Sequence, residues 1–277
     1  MKAASQHTLS LVLLLALVVS CRPAGRREGT AEIAVTNSYL ACVVRDLCPQ
    51  GVEVLCLAPP GMCPGHFDIA PTQVRQLRHC RLLLLFDFQG QTEQKLASLQ
   101  KRGLKTQLVS APAGLCIPDA YLATCEQVCR MLSEVYPQRA AEFRGRLPVV
   151  KDRIVALSAE LRASVTGLGL TGAKVLASSH QAGFAAWLGL EPVDTFIGSD
   201  LETIASIDRC LKKAAGQEIR FIIANRQEGT ALAEALADRL HAKAVVFSNF
   251  PEAAGDAAGF DQLLRDNVRL LREAVGR

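Results

Sequence analysis

Short apolar runs alternate with amphipathic segments along most of this chain, and this alternation constrains the fold most strongly. The run Leu-Leu-Leu-Leu-Phe at 82–86 is unbroken, as is typical of a parallel strand buried on both faces. The predicted strands are residues 32–36, 52–57, 82–86, 105–109, 174–177, 219–224 and 244–247. The predicted helices are residues 39–47, 71–78, 92–102, 120–135, 230–240 and 260–275. Strands that alternate with helices in this way predict an α/β fold with mostly parallel sheets.

A long helical segment without polar chemistry separates the two strand-containing halves. Residues 137–167 carry a helical apolar pattern, and Pro148 is expected to restart the helix at an N1-like position. We therefore predict a first lobe at 31–136, a linking helix at 137–167 and a second lobe at 168–277. The segment 167–172 matches G-x-G-x-x-G, but it follows a helix and precedes a strand, so we interpret it as a helix end and loop.

The first thirty residues predict export. Residues 1–20 have a positive start and an apolar run that is too short to span a bilayer, which is the pattern of a signal peptide. The run ends at Val-Val-Ser-Cys, which resembles the bacterial lipobox and makes Cys21 the predicted lipidation site. The alternative is a plain signal peptide with an incidental cysteine. Residues 21–30 are polar and predict a tether, so we expect a protein that is extracytoplasmic and lipid-anchored to a bacterial membrane.

Composition and cysteine count narrow the remaining classes. The net charge is +4 with 5% aromatic residues and no basic run, which does not suggest a nucleic-acid partner. Of ten cysteines, nine remain if Cys21 is lipidated, and an odd number cannot all pair with one another. Cys125 and Cys129 are expected in the core of the helix at 120–135. A disulfide among the three cysteines of residues 42–56 is left open.

The loop after the second predicted strand reads Cys63-Pro64-Gly65-His66-Phe67-Asp68. Pro-Gly predicts a type II turn, which brings its first and fourth residues within about 7 Å. Those residues are Cys63 and His66, whose thiolate and imidazole are ligands that zinc favours. Asp68 could add an oxygen ligand or orient His66. The alternative is an ordinary tight loop with a buried Cys and a surface His.

Two further candidate ligands follow predicted strands. Cys116 lies in the loop after the strand at 105–109, and His180 lies where the strand at 174–177 meets the next helix. In parallel α/β sheets, ligands bind at the carboxyl ends of strands, so both residues are expected on the same rim as the Cys63 turn. For His180, the alternative role is that of a polar helix-capping residue.

The order of elements resembles that of the zinc and manganese solute-binding lipoproteins of ABC transporters, the ZnuA/TroA type. Residues 33–47 and 52–61 resemble the family's opening strand, helix and strand, and residues 179–184 (SHQAGF) resemble its H-x-A-[FW]-x-Y segment. The resemblance implies two α/β lobes joined by a long helix (a cluster A-I solute-binding protein) and a metal site between them.

Several family ligand positions differ in this chain. The loop D-P-H-x-[FY]-E reads CPGHFD here, so Cys63 replaces the Asp and His66 is displaced by one residue. The second family His is absent, and Cys116 is the nearest usable ligand. The acidic E-P-Q position reads Asn225-Arg226-Gln227, and the later Asp falls near Ser248.

Taken with the resemblance, these residues form a Cys₂His₂ ligand set. The predicted metal ligands are Cys63, His66, Cys116 and His180. Such a set suits tetrahedral Zn²⁺ and suits Mn²⁺ poorly, because thiolate prefers softer ions; Cu(I) is the remaining alternative.

The prediction is therefore a binding protein, and we expect no enzymatic activity. It captures Zn²⁺ between two lobes, delivers it to an ABC permease and acts as a monomer. The first alternative is an exported thiol redox protein or metal chaperone that works through Cys63 and Cys116. The second is a binding protein for another ligand, such as an iron complex or a corrinoid, on the same scaffold.

Overall fold

The computed structural model describes residues 31–49, 52–198, 203–252 and 259–276, with only the backbone of His66. The predicted signal peptide, tether and Cys21 lie outside the described residues. Within them, eight strands form two four-stranded parallel sheets. The strands are β1 (Ile33–Val35), β2 (Val54–Cys56), β3 (Leu82–Phe86), β4 (Lys105–Val109), β5 (Lys174–Ser178), β6 (Glu191–Phe196), β7 (Phe221–Asn225) and β8 (Lys243–Phe247).

Helices flank both sheets. The helices are α1 (Ser38–Leu47), α2 (Pro71–Leu77), α3 (Gly90–Lys95), α4 (Ala97–Gln100), α5 (Pro118–Val135), α6 (Ala140–Gly167), α7 (Ser179–Trp187), α8 (Ile204–Ala214), α9 (Ala231–Leu240) and α10 (Phe260–Gly276). We call β1 to α5 the first lobe and β5 to α10 the second lobe. No helix among the described residues has the length and apolar character needed to cross a membrane.

Both sheets have the same strand order. The first sheet runs β2-β1-β3-β4 and the second β6-β5-β7-β8, and every neighbouring pair is parallel. The predicted α/β architecture of two parallel-sheet lobes is therefore confirmed. In each sheet the carboxyl ends of all four strands meet at one edge, which gives each lobe a single rim for binding residues.

The linking helix α6 is continuous over 28 residues and contains Pro148 in its interior. The expected restart at Pro148 is therefore wrong. Proline removes one backbone donor, so the carbonyl of Arg144 loses its usual helical partner. The buried apolar face of α6 offsets that loss, because Phe143 and Val150 on either side of the proline are both buried in the core.

One continuous core runs through both lobes and α6. At its centre the ring of Tyr121 from the first lobe stacks on Phe260 from the second, with ring centroids 3.9 Å apart. Cys125 and Cys129 are buried in this core as predicted. Cysteines 48, 56, 63, 80, 116, 125, 129 and 210 are free thiols.

The structure departs from the sequence-based elements in three places. Strand β6 and helix α8 were not predicted. Residues 92–102, expected as one helix, form parts of α3 and α4, which meet at Leu96. Leu96 has a non-helical ψ of 7° and is buried, so its packing interrupts the helix.

Candidate metal centre between the lobes

The rims of the two lobes carry the candidate residues on loops that follow strands. In the first lobe, the Cys63 turn follows β2 and Cys116 follows β4. In the second lobe, His180 opens α7 directly after β5, and Ser248 follows β8. The Cys63 turn, Cys116 and His180 therefore all follow strands, as the sequence predicted.

The turn at Cys63 differs in type from the prediction. Residues Pro64–His66 form a single 3-10 turn that Cys63 precedes, and Gly65 is not among the glycines with positive φ. The type II turn is therefore wrong: Pro64 presets a φ that suits a 3-10 turn equally well, and Gly65 accepts either conformation. Cys63 is half-buried. Its Sγ lies 3.7 Å from the point that a Cβ would occupy if Gly65 carried a side chain.

Asp68, which the sequence suggested as an oxygen ligand or as a partner of His66, lies on the exposed surface near this turn. Its carboxylate forms an ion pair with Lys95 at 3.0 Å on the exposed surface. The side chain of Asp68 is 91% exposed, so we assign it no part in a buried site. The side chain of His66 lies outside the described part of the chain.

Cys116 is buried at the contact between the lobes. Its thiol donates to the backbone carbonyl of Ser248 at 3.1 Å, and Asn267 Nδ2 donates to its sulfur at 3.6 Å. Burial raises the pKa of the Cys116 thiol, and the hydrogen bond from Asn267 only partly opposes this. The side chain is therefore a neutral thiol engaged with the second lobe.

His180 is anchored by an acidic residue that sequence reasoning missed. Its Nδ1 contacts a carboxylate oxygen of Glu228, and the other oxygen accepts a hydrogen bond from Ser178 Oγ at 2.7 Å. Ser178 Oγ also accepts from the backbone N–H of His180 at 3.2 Å. Because Nδ1 is engaged, Nε2 is the ring nitrogen left for a ligand.

The electrostatics of this pair favour its charged form. The hydrogen bond that His180 donates to Glu228 raises the pKa of His180, although partial burial opposes the shift. Burial pushes the pKa of Glu228 upward, but the hydrogen bonds from His180 and Ser178 outweigh it and lower the pKa overall. The His180 side chain is nevertheless 59% exposed, so its imidazole faces solvent at the rim.

Uncharged amides occupy the floor of the second-lobe rim. Gln181 is fully buried, and its Nε2 donates to Asn225 Oδ1 at 3.3 Å and to Asn249 Oδ1 at 3.0 Å. Asn267 donates to the carbonyl of Ser248 at 3.0 Å. Asn225 and Asn249 lie at or next to the two positions where the family resemblance led us to expect acidic residues, so these two side chains contribute dipoles and no charge.

The two rims touch directly. Gly61 N donates to the carbonyl of Pro251 at 2.9 Å, and Gln227 Nε2 donates to the carbonyl of Gly61 at 2.8 Å. Gln227 Oε1 in turn accepts from Asn249 N at 3.0 Å. The rims are therefore held together at Gly61 by direct hydrogen bonds.

The structure does not gather the predicted ligands into one cluster. Across the described ranges, no three His, Cys, Asp or Glu side chains lie close enough together to hold a metal ion. That statement leaves out His66, of which only the backbone is described. Glu228 could have been suspected from sequence, because it lies three residues beyond Asn225, on the same rim loop as the missing family acid.

Comparison with known proteins agrees with the fold over almost the whole described chain. The crystal structure of ZnuA superposes with a TM-score of 0.68 at 15% identity, covering 88% of this chain and 98% of that one. The Mn-bound and Cd-bound periplasmic metal binding protein from Candidatus Liberibacter asiaticus superposes with a TM-score of 0.70 at 12% identity, with the same coverage. No curated protein sequence matches the chain significantly.

The family profile described as "ZnuA: Zinc-uptake complex component A periplasmic" matches residues 33–274. This match spans both lobes and the linking helix, and it confirms the resemblance drawn from the sequence. The chain therefore belongs to the ZnuA family.

Proposed function

We propose that this chain is an extracytoplasmic solute-binding lipoprotein, anchored through Cys21, that captures a transition metal ion and delivers it to an ABC permease. The observation that carries the proposal is the His180–Glu228 pair on the second-lobe rim. A carboxylate on Nδ1 leaves Nε2 unprotonated for a metal once the ring is neutral, which is the usual arrangement of a metal-binding histidine. The protein works as a monomer and has no catalytic role.

The ligands in this proposal are Cys63 and His66 from the first lobe and His180 from the second. Cys116 is the fourth ligand of the predicted set, and it differs from the others in its surroundings. It can bind a metal only after losing its proton and releasing the carbonyl of Ser248. If its ligands come from both lobes, the bound metal would hold the two rims together in addition to the direct hydrogen bonds between them.

Zn²⁺ is the metal that fits this set best. Thiolate and imidazole are its preferred ligands, whereas Mn²⁺ prefers oxygen ligands and the acidic rim positions are amides here. Cu(I) also accepts thiolate and is the competitor to test. The metals in the similar Candidatus Liberibacter protein, Mn and Cd, support a transition metal as the class of cargo.

Fewer features of the protein favour the two alternative functions, a thiol redox protein and a binding protein for a corrinoid or iron complex. A redox function through Cys63 and Cys116 needs reactive thiolates, but Cys116 is buried and its pKa is raised by that burial. A corrinoid or iron complex needs a wide cleft, but the rims are joined at Gly61 by direct hydrogen bonds. The buried amides around Gln181 are the feature that would favour a ligand of this kind, because they could contact an uncharged part of its surface.

The test is metal analysis of the protein from Arg22 to Arg277, purified reduced and then dialysed against zinc. We expect about one equivalent of zinc, lost in His180→Ala and in Cys63→Ala and retained in His79→Ala, an exposed histidine in the turn after α2. Retention of zinc in the first two variants would reject these ligands. Absence of zinc from the parent protein would reject the function.

A further inference from the structure

Six exposed basic side chains cover the end of the first lobe that lies opposite the metal-binding rim. They are Arg75, Arg78, Arg81, Lys101, Arg102 and Lys105. They lie at the carboxyl ends of α2 and α4 and at the amino ends of β3 and β4. Among the described residues, none of the six forms an ion pair with a carboxylate. We call this surface the basic base.

The basic base is contiguous, because backbone hydrogen bonds join its parts. The N–H of Arg81 donates to the carbonyl of Glu32 at 2.8 Å, and the N–H of Lys105 donates to the carbonyl of Arg81 at 2.9 Å. Neighbouring strands lie about 4.8 Å apart, so these side chains share one edge of the sheet. Arg102 approaches the same edge through the short turn that precedes Lys105.

The chain enters the folded unit on this same surface. Ala31, the first described residue, accepts a hydrogen bond from the thiol of Cys80 at 3.1 Å, immediately after the end of α2. The sequence just before it, residues 22–30, contains three further arginines and one glutamate. Any anchor carried by residues 1–21 is therefore joined by a short basic segment to the basic base.

The charge of this surface is local. The whole chain has a formal net charge of only +4, so six cations without a carboxylate partner on one end represent a strong asymmetry, although Arg81 also donates to the carbonyl of Val135 and lies over the ring of Tyr136. Glu32 and Glu53 lie on the same edge of the sheet and reduce the local charge, but they leave a clear positive excess. A cluster of this size attracts an anionic surface over roughly a Debye length, about 8 Å at physiological ionic strength.

We propose that the basic base binds the anionic phospholipid headgroups of the membrane to which the chain is tethered. Docked in this way, the metal-binding rim at the opposite ends of the strands faces away from the lipid and stays open to solvent. Each exposed cation near an anionic membrane strengthens binding about fivefold, so several together give a measurable affinity without a lipid chain. This inference rests on the extracytoplasmic location and the lipid anchor in the proposed function, but not on the metal site.

The test uses the protein from Arg22 to Arg277, since residues 31–277 form a compact unit with its own core. Sedimentation with vesicles of phosphatidylcholine and phosphatidylglycerol (3:1) at low salt is compared with pure phosphatidylcholine. The variant is Arg78→Glu, Lys101→Glu and Arg102→Glu together. The control with equal charge change is Lys95→Glu, Lys151→Glu and Arg265→Glu, three exposed residues away from the basic base.

We expect the parent to bind only the anionic vesicles, the base variant to lose at least about tenfold in affinity, and the control to stay within about threefold. Both variants should keep the melting temperature and zinc stoichiometry of the parent, which separates this result from a failure of metal binding. Equal losses in the two variants would show that only net charge matters. Binding to heparin without binding to anionic vesicles would assign the surface to another polyanion. Either outcome would overturn the proposal.

Discussion

Glu228 engages Nδ1 of His180 with one carboxylate oxygen while its other oxygen accepts the hydroxyl of Ser178 at 2.7 Å. This contact joins the loop after β7 to the start of α7. It fixes the orientation of the imidazole and supplies an acidic residue close to a position where the family resemblance predicted one. Several predictions about the metal centre depend on it.

Glu228→Gln should lower the pKa of His180 and weaken zinc binding by about 10- to 100-fold, because the carboxylate that orients the ring is lost. In the parent protein, the pKa of His180 is higher in the folded state than in the unfolded state. The His180–Glu228 pair therefore contributes its full stabilisation at a pH below the pKa of unfolded histidine. This stabilisation is lost as the pH rises through the pKa of His180 in the folded protein. Histidine NMR titration of the metal-free protein measures the shift. Glu160→Gln, which breaks an exposed pair with Arg265, is the control; an unchanged His180 pKa in Glu228→Gln would contradict the assigned contact.

The thiol of Cys63 should be the fastest to react with a thiol reagent in the native protein at pH 8. Cys63 and Cys56 are the only half-buried cysteines among the nine described, and burial raises the pKa of Cys56 to about 11. Zinc should protect Cys63 from the reagent, and Cys63→Ala should remove the fast phase. A fast phase that zinc does not slow would argue against Cys63 as a ligand.

Arg153→Met should destabilise the protein by about 2 kcal/mol, between the values for exposed and buried ion pairs. Arg153 on α6 contacts Asp46 of the first lobe and Asp261 of the second, with Nη1 2.8 Å from Asp46 and Nε 3.3 Å from Asp261. Burial raises the pKa of Asp261, so this contribution should shrink as pH falls and the carboxylate is protonated. Urea denaturation at two pH values measures both effects.

The control for that experiment is Arg265→Met, which removes an exposed pair with Glu160 and should cost less than about 1 kcal/mol. If the two substitutions lower the free energy of unfolding equally, the contacts of Arg153 with both lobes stabilise the protein no more than an ordinary surface ion pair does.

Gly198→Ala should disturb the metal centre although Gly198 holds no candidate ligand. A Cβ at this position would collide with the Cβ and the backbone carbonyl of Glu228. We expect a loss of stability and of zinc affinity together, measured by thermal unfolding and by competition with a zinc chelator. Gly145→Ala, in the open interior of α6, should instead stabilise the protein by about 0.5–1 kcal/mol; a neutral Gly198→Ala would contradict the packing of Glu228.

Elements set by local pattern were predictable from sequence. The continuous apolar run of β3 spans the expected residues, and the predicted helix at 39–47 begins one residue earlier as α1, where Asn37 Oδ1 accepts from Leu40 N at 2.9 Å. Strand β6 was not predicted, because its Glu-Pro-Val-Asp-Thr-Phe sequence contains a proline and two acidic residues. It lies at the edge of its sheet, where proline is tolerated.

The candidate site was less predictable, because it depends on contacts between segments far apart in the chain. Sequence pattern located His180 and Cys116 on rims, but it could not show that Cys116 faces Ser248, 132 residues away. The partner of His180 was missed because Glu228 lies outside the position of the family motif. Such pairings depend on which loops contact one another in the folded protein. The local sequence pattern contains no information about those contacts.

A crystal structure of the reduced protein soaked with zinc, with anomalous scattering collected at the zinc edge, would locate the metal directly. We expect one strong peak between the lobes, about 2.0–2.1 Å from Nε2 of His180 and about 2.3 Å from Sγ of Cys63. We also expect Glu228 to stay on Nδ1 of His180 in that structure. A zinc peak elsewhere, or no peak at the rim at full zinc occupancy in solution, would contradict this metal site.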